Sequence, residues 1–239
     1  MTERVTPRRR GSYGIDAPYG PALIAAMAIL YLVMAITSGR WRMLVPATLM
    51  LLLLGYYLHG TLRAKFVVWA GLLDQLHLRG DERILDLGCG RGAVLLMAAQ
   101  HLTTGRAVGV DLWRSFDQSG NSLETTRRNA IAEGVADRVE LHTANMTALP
   151  FADSSFDLVV SSVAIHNISR RADREKAIAE AVRVLRPGGR LMIADVRSTR
   201  QYQEHLVRSG MNEVGRRRLR WFWPANLVTA TKPERRVVS

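Results

Sequence analysis

Apolar positions are unevenly spread along this chain. Two runs, 21–37 and 43–58, carry no charge, and only Arg40-Trp41-Arg42 interrupts an uncharged stretch from 17 to 62. Neither run has the polar stripe of an amphipathic surface helix, so each reads as a helix that is apolar all round. Each would span roughly 25 Å at 1.5 Å per residue, slightly short of the ~30 Å hydrocarbon core, with the neutral flanking residues making up the difference. Two such runs around a tight polar turn predict a transmembrane helical hairpin at 17–62, because helix formation satisfies the backbone within lipid. Residues 1–16 then form a basic N-terminal tail. Three other readings stand beside this one: a signal peptide behind Arg8, Arg9 and Arg10, a pair of buried core helices, and a shallow re-entrant hairpin. A second apolar run directly after the first argues against cleavage.

After 62 the pattern changes. Phe66, Trp69, Leu72, Leu73 and Leu76 recur at helical spacing, predicting a helix over 62–77. Short apolar strands then alternate with helices. Strands are expected at 83–87, 106–111, 139–143, 156–161 and 190–195, with helices at 93–102, 123–133, 174–184 and about 200–209. Asn121 and Glu124 suggest a capping box on the third of these helices, counting 62–77 as the first. Arg186-Pro187-Gly188-Gly189 reads as the turn before the fifth strand, and 213–219 with 226–232 as a closing strand pair. Alternation of this kind implies an α/β domain at 63–239, its mostly parallel sheet covered on both faces.

Charge adds an orientation and a question about partners. The formal net charge is +12, which favours contact with nucleic acid or an anionic membrane surface. Basic residues near the ends of apolar spans mark the inner side. Arg4, Arg8, Arg9 and Arg10 lie at one end and Arg63 and Lys65 at the other, against only Arg40 and Arg42 in the turn. Both termini, and with them the α/β domain, are expected on the cytoplasmic side of the cell membrane, with Trp41 at the outer interface. Tyr56, Tyr57 and His59 then fall near the inner one, where aromatic belts and ordinary core packing explain the tyrosines equally well. Arg216, Arg217, Arg218 and Arg220 precede Trp221-Phe222-Trp223. That mixture suits base stacking, anionic headgroups or a solvated strand face. Beside an apolar hairpin the latter two are favoured, and no nucleic acid partner is expected. The single cysteine, Cys89, permits neither an intramolecular disulfide nor a cysteine-based metal cluster, and no metal is expected.

The strongest chemical signal is Asp86-Leu87-Gly88-Cys89-Gly90-Arg91-Gly92. A strand ends near a carboxylate, and a glycine loop then opens a helix, letting backbone approach a ligand where a Cβ would clash. A glycine loop alone is shared with nicotinamide and flavin enzymes. Asp86 is poorly placed for a pyrophosphate but suits a ligand bearing an ammonium and a sulfonium. Asp111, ending the next strand, fits ribose hydroxyls, which any adenosine cofactor offers.

With Ala144-Asn145-Met146, Leu149-Pro150-Phe151, Ser155-Phe156-Asp157-Leu158-Val159 and Val184-Leu185-Arg186-Pro187-Gly188-Gly189 following in order, the chain resembles the class I S-adenosylmethionine-dependent methyltransferases. The resemblance implies a Rossmann-like seven-stranded sheet of order 3-2-1-4-5-7-6. It also implies roles for matching positions. Asp86, Gly88, Gly90 and Gly92 would hold the methionine part of S-adenosylmethionine, and Asp111 the ribose. Leu112 or Trp113 would pack on adenine, Asn145 and Met146 would flank it, and Ser161 would lie beside the cofactor. Many relatives carry aspartate where Asn145 stands; an amide oxygen accepts the same hydrogen bond.

His166, just beyond the fourth strand, is the candidate base, since ligands of open α/β sheets bind outside the carboxyl ends of strands. Its alternative is to position the acceptor or hydrogen-bond a loop. Asn167 would orient a polar group of the acceptor. The insertion 112–122 brings Gln118, Ser119 and Asn121, which either reach the cofactor or cap the following helix. The hairpin points to a small-molecule acceptor that is lipophilic or membrane-associated. A nicotinamide oxidoreductase would not need Asp86 or the Pro-Gly-Gly turn; a non-catalytic membrane adaptor on the same fold is the second reading.

Overall fold

A computed structural model describes residues 9–220 and 223–234. Arg4 and Arg8 of the expected basic flank, and Trp221 and Phe222 of the aromatic run, lie outside the described residues.

The apolar runs form α1 (Tyr19–Ser38) and α2 (Leu44–His59), joined through Gly39 in the left-handed conformation and a 3-10 turn at Trp41–Met43. α1, and the longer continuous helix Trp41–Gln75 that contains α2, are each long and apolar enough to cross a membrane by length and composition. Their seam is made of small residues: Ala28 and Ala35 on α1 and Ala47 on α2 are buried, which lets the two backbones approach closely. The large side chains face outward instead, with Ile36 72% and Leu52 66% exposed. α2 runs without a break through a π-helical turn at Gly60–Ala64 into α3 (Lys65–Gln75), so Trp41 to Gln75 is one helical rod of 35 residues.

The sheet strands are β1 (Arg83–Leu87), β2 (Arg106–Asp111), β3 (Val139–Thr143), β4 (Phe156–Ser162), β5 (Leu185–Asp195), β6 (Asn212–Arg218) and β7 (Asn226–Thr231). Their order is β3-β2-β1-β4-β5-β7-β6, as the resemblance implied. Strands β1 to β5 pair in parallel and β7 runs antiparallel between β5 and β6. Helices α4 (Ala93–Gln100), α5 (Leu123–Ala132), α6 (Arg171–Val184) and α7 (Thr199–Arg208) complete the domain. Because side chains alternate across a strand, neighbours feed different cores. Ile84 joins Trp69, Leu73 and Leu95 on one face, while Leu85 joins Ile178, Tyr202 and Leu206 on the other.

Two expectations are corrected. Ser122, not Asn121, caps α5, accepting from the Thr125 N–H at 3.1 Å; the Asn121 amide is drawn instead to the Asp111 carboxylate. Arg186-Pro187-Gly188-Gly189 is not a turn outside the strand. Strand β5 begins at Leu185 beside Phe156, and the Gly188 N–H donates to the Lys232 carbonyl at 2.9 Å.

Residues 9–18 lie along the α/β domain as a strap. The Gly11 N–H and the Tyr13 hydroxyl both donate to Glu133 Oε1, at 2.8 and 2.9 Å, and the Ser12 N–H donates to Asn129. Ser119 and Ile15, then Ala17 and Asp117, are joined by backbone hydrogen bonds. Near the strap's end the Asp16 carboxylate meets the Lys65 ammonium at 2.7 Å and accepts from the Thr61 hydroxyl. The strongly basic β6 is an edge strand, where Arg216 donates to Thr199, and Trp223 is buried.

Candidate active site

A cavity of about 460 Å³ opens at the carboxyl ends of β1, β2, β4 and β5. Its floor is Asp86. The strand that carries Asp86 is buried along nearly its whole length, so the carboxyl is only 1% exposed and its Oδ1 has no hydrogen-bond partner. Burial pushes this carboxyl up to about 8, with Asp111 adding to the rise and a backbone donor at Leu95 opposing it. An unpaired buried acceptor is costly, and a cation seated against it would remove that cost.

The glycine loop sits against the opposite wall without room to spare. A Cβ on Gly88, at φ +71°, would stand 2.3 Å from the Ala164 Cβ; one on Gly90 would meet Gln118 Oε1 at 2.5 Å. Asp111 ties this loop to the insertion. Its Oδ2 accepts from the Gly90 N–H at 2.8 Å, and its Oδ1 from the Trp113 N–H and Asn121. A carboxylate offers about four acceptor sites, so capacity remains for a ribose hydroxyl. Asn145 Oδ1 accepts from the Thr147 N–H at 3.0 Å, an Asx turn that fixes the side chain beside Met146 on the cavity wall.

Asp86, Gly88, Gly90, Asp111, Leu112, Asn145, Met146, His166 and Asn167 all line this one cavity. Three expected residues do not. Gly92, at φ 86°, opens α4. Trp113 turns its indole to Thr143, Nε1 donating at 2.7 Å. Ser161 is fully buried and donates to the Leu87 carbonyl at 2.8 Å, pinning β4 to β1. The neighbouring Ser162 reaches the cavity and accepts from the Trp69 indole at 2.9 Å. Burial pushes the Cys89 thiol well above its ordinary value, which leaves it a poor nucleophile.

His166 follows β4 in a short 3-10 turn. Its Nδ1 stands 2.5 Å from Asp195 Oδ1, outside hydrogen-bonding alignment. Asp195 ends β5, is fully buried, and accepts from the His166 and Val196 N–H groups and from the Tyr202 hydroxyl. With Nδ1 against Asp195, Nε2 is the ring nitrogen left for an acceptor. Asp16, Tyr57 and Lys65 also line the cavity, so the strap and the hairpin both contribute to its wall. Sequence reading passed over them, since Asp16 and Lys65 look like ordinary flanking charges until the fold brings them together.

A carboxylate ending β2, a buried carboxyl near the end of β1 and a glycine loop between them stand together on a sheet of Rossmann-like order. Comparison with known proteins agrees: residues 85–193 match the family described as "Methyltransferase domain". The chain is similar to methyltransferase GfsG of Streptomyces halstedii, 38% identical over 52% of this chain and 41% of that protein. It is also similar to the ubiquinone/menaquinone biosynthesis C-methyltransferase UbiE of Dinoroseobacter shibae, 38% identical over 54% of this chain and 48% of that protein. The chain thus spans under half the length of these curated relatives. Among solved structures, an S-adenosylmethionine-dependent methyltransferase from Aquifex aeolicus shares the fold, at a TM-score of 0.57 and 20% identity, over 68% of this chain and 88% of that one. Residues 85–193 thus match a methyltransferase domain family, on a sheet whose fold is shared with solved S-adenosylmethionine-dependent methyltransferases.

Proposed function

We propose that this chain is a membrane-anchored S-adenosylmethionine-dependent methyltransferase acting on a lipophilic small molecule, with a basic tail at 1–16, a transmembrane hairpin at 17–62 and a cytoplasmic catalytic domain at 63–239. The observation that carries the activity is Asp86, a buried carboxyl with an unpaired oxygen on the floor of the cavity. It is shaped to receive a cation, and the close-packed Gly88 and Gly90 leave that place open to backbone approach. Asp86 and the glycine loop hold the methionine end, Asp111 the ribose, and Asn145, Met146 and Leu112 the adenine. Bound there, S-adenosylmethionine supplies a methyl group activated by its positive sulfur. The protein contributes alignment and a site shielded from water. His166, oriented by Asp195, takes a proton from the acceptor where the reacting atom carries one, and Asn167 orients the acceptor's polar group.

The anchor is supported by the outward-facing leucines and isoleucines of α1 and α2, which no described residue covers. The names of relatives such as the ubiquinone/menaquinone C-methyltransferases make a quinone-like ring a reasonable first acceptor to assay. The test is calorimetric titration of detergent-solubilised protein with S-adenosylmethionine, with Asp86→Ala alongside, followed by methylation assays on membrane extracts and on soluble metabolites. Binding lost in the variant and labelling of lipid extracts are expected. A folded wild type that binds no cofactor would point to the adaptor instead, and labelling of soluble metabolites alone would remove the lipophilic acceptor.

A further inference from the structure

We infer that the acceptor is an amphiphile: an anionic group, carboxylate or phosphate, held by Arg114 and Arg197, with an apolar portion running past Phe116 towards the helical hairpin. This rests on the methyltransferase reading of the main cavity. A second cavity, of about 640 Å³, adjoins the first, and the two share Arg114, Phe116, Asp117, His166, Asn167 and Arg197 as lining. His166 therefore stands on the border between the cofactor side and a chamber with its own chemistry.

That chamber is basic, with Arg114, Arg174 and Arg197 against a single acidic lining residue, Asp117. Arg174 is committed to the fold: it donates to the Ile168 and Ser169 carbonyls at 2.7 and 2.9 Å and to Gln201 at 3.1 Å. The Arg114 and Arg197 guanidiniums form no hydrogen bond or ion pair with a described residue and are exposed. Arg114 feels the nearby Asp117 carboxylate without bonding it and Arg197 bonds none of the described residues, so two guanidinium forks on one rim remain to match a carboxylate or phosphate.

The apolar side of the same rim is equally specific. Phe116 is 68% exposed although it belongs to a loop otherwise tied down by the strap, and its ring stacks on Tyr19, the first residue of α1, at 5.0 Å. Tyr57 of α2 lines the main cavity. An aromatic path thus joins the chamber to the hairpin, the direction from which a membrane-dissolved molecule would arrive. A wholly neutral acceptor would leave both arginines unused, and a soluble anion would leave the aromatic path unused.

The experiment measures binding of farnesyl phosphate, farnesol and inorganic phosphate to the full chain in detergent, for wild type and for Arg114→Gln/Arg197→Gln. S-adenosylmethionine affinity is measured on both proteins as the check that the site is folded. Farnesyl phosphate should bind wild type at least about tenfold more tightly than farnesol or inorganic phosphate, the size expected for one charge-assisted hydrogen bond. The double variant should lose that margin and keep its cofactor affinity. Equal binding of farnesol and farnesyl phosphate, inorganic phosphate binding as well as the lipid phosphate, or an undiminished margin in the variant would each overturn the inference while leaving the methyltransferase reading intact. Failure of wild type to bind S-adenosylmethionine would overturn both.

Discussion

Cofactor capture at Asp86 should release a proton. In the free protein burial holds this carboxyl at about 8, far above its ordinary 3.8, so at pH 7 most molecules carry the proton. A cation brought against the unpaired Oδ1 favours the ionised form, and binding therefore expels what the free protein holds. Between about pH 5.5 and 7, below the range where an α-amino group itself titrates, the association constant should rise roughly tenfold per pH unit. The rise should level off above about 8. Calorimetry at pH 7 in buffers of different ionisation enthalpy should report close to one proton released per cofactor bound. Asp86→Asn keeps the shape but removes both charge and proton. It should weaken binding by at least about 100-fold, the scale for breaking a buried charged pair, and abolish the pH slope. The same shift makes the cofactor-free wild type lose stability as pH rises from 3.8 towards about 8, since over that window the unfolded chain gives up a proton that the folded protein keeps. The variant should gain on wild type across that window. A pH-independent affinity with no proton released would refute the assignment of Asp86 as the cation's partner.

Other positions give sharp expectations. Gly88→Ala combines a left-handed backbone with a Cβ 2.3 Å from Ala164 and should cost about 2–5 kcal/mol, read as a lower thermal midpoint; partial recovery on adding Ala164→Gly checks that the clash is the cause. Lys65→Met leaves Asp16 with its partner removed and should destabilise the chain by about 1–3 kcal/mol, less than for a fully buried pair because the Asp16 side chain is 24% exposed. Denaturant unfolding of the single variant and of Asp16→Asn/Lys65→Met should show the double variant recovering part of the loss. His166→Asn should lower kcat by about 100-fold or more for an acceptor that must lose a proton, with cofactor affinity unchanged; an unaltered kcat would leave His166 a loop residue.

The bounds of β1, β2 and β3 were legible because each is a short apolar run closed by polar or glycine residues, and the strand order came with the motifs that β1, β2, β4 and β5 carry. The start of β5 was not. A Pro-Gly-Gly sequence signals a turn locally, yet Gly188, in the left-handed conformation, and Gly189 are drawn into β5 because Lys232, far along the chain, pairs with them. The same limit hid the strap. Nothing in residues 9–18 announces that Tyr13 will bond Glu133, or that Gln118 Nε2 will bond the Tyr13 carbonyl and Asp16. The insertion at 112–122 left two roles open because its partners, Tyr13 and Asp16, come from the other end of the sequence. Asp195 closed a recognised motif, but its value as the anchor of His166 depended on a turn geometry that spacing does not encode. Ser161 and Ser162 show the reverse: a strand's period of two decides which hydroxyl meets the cavity, and one residue of register reverses the answer.

The unbroken rod from Trp41 to Gln75 sets a rotational phase as well as a distance. One helical residue corresponds to about 100° of turn and 1.5 Å of rise, so the direction in which the catalytic cleft looks, relative to the hairpin, is fixed by the residue count between Tyr57 and Trp69. The π-helical turn at Gly60–Ala64 holds wider backbone bonds than its neighbours, and Trp223 Cδ1 lies 3.8 Å from where a Cβ on Gly60 would stand. The turn thus works as an indexing notch, a place where the length of the shaft and the heading of the domain are set together. A single residue added or removed there would swing the cleft through more than a quarter turn relative to the hairpin and carry Tyr57 out of its wall.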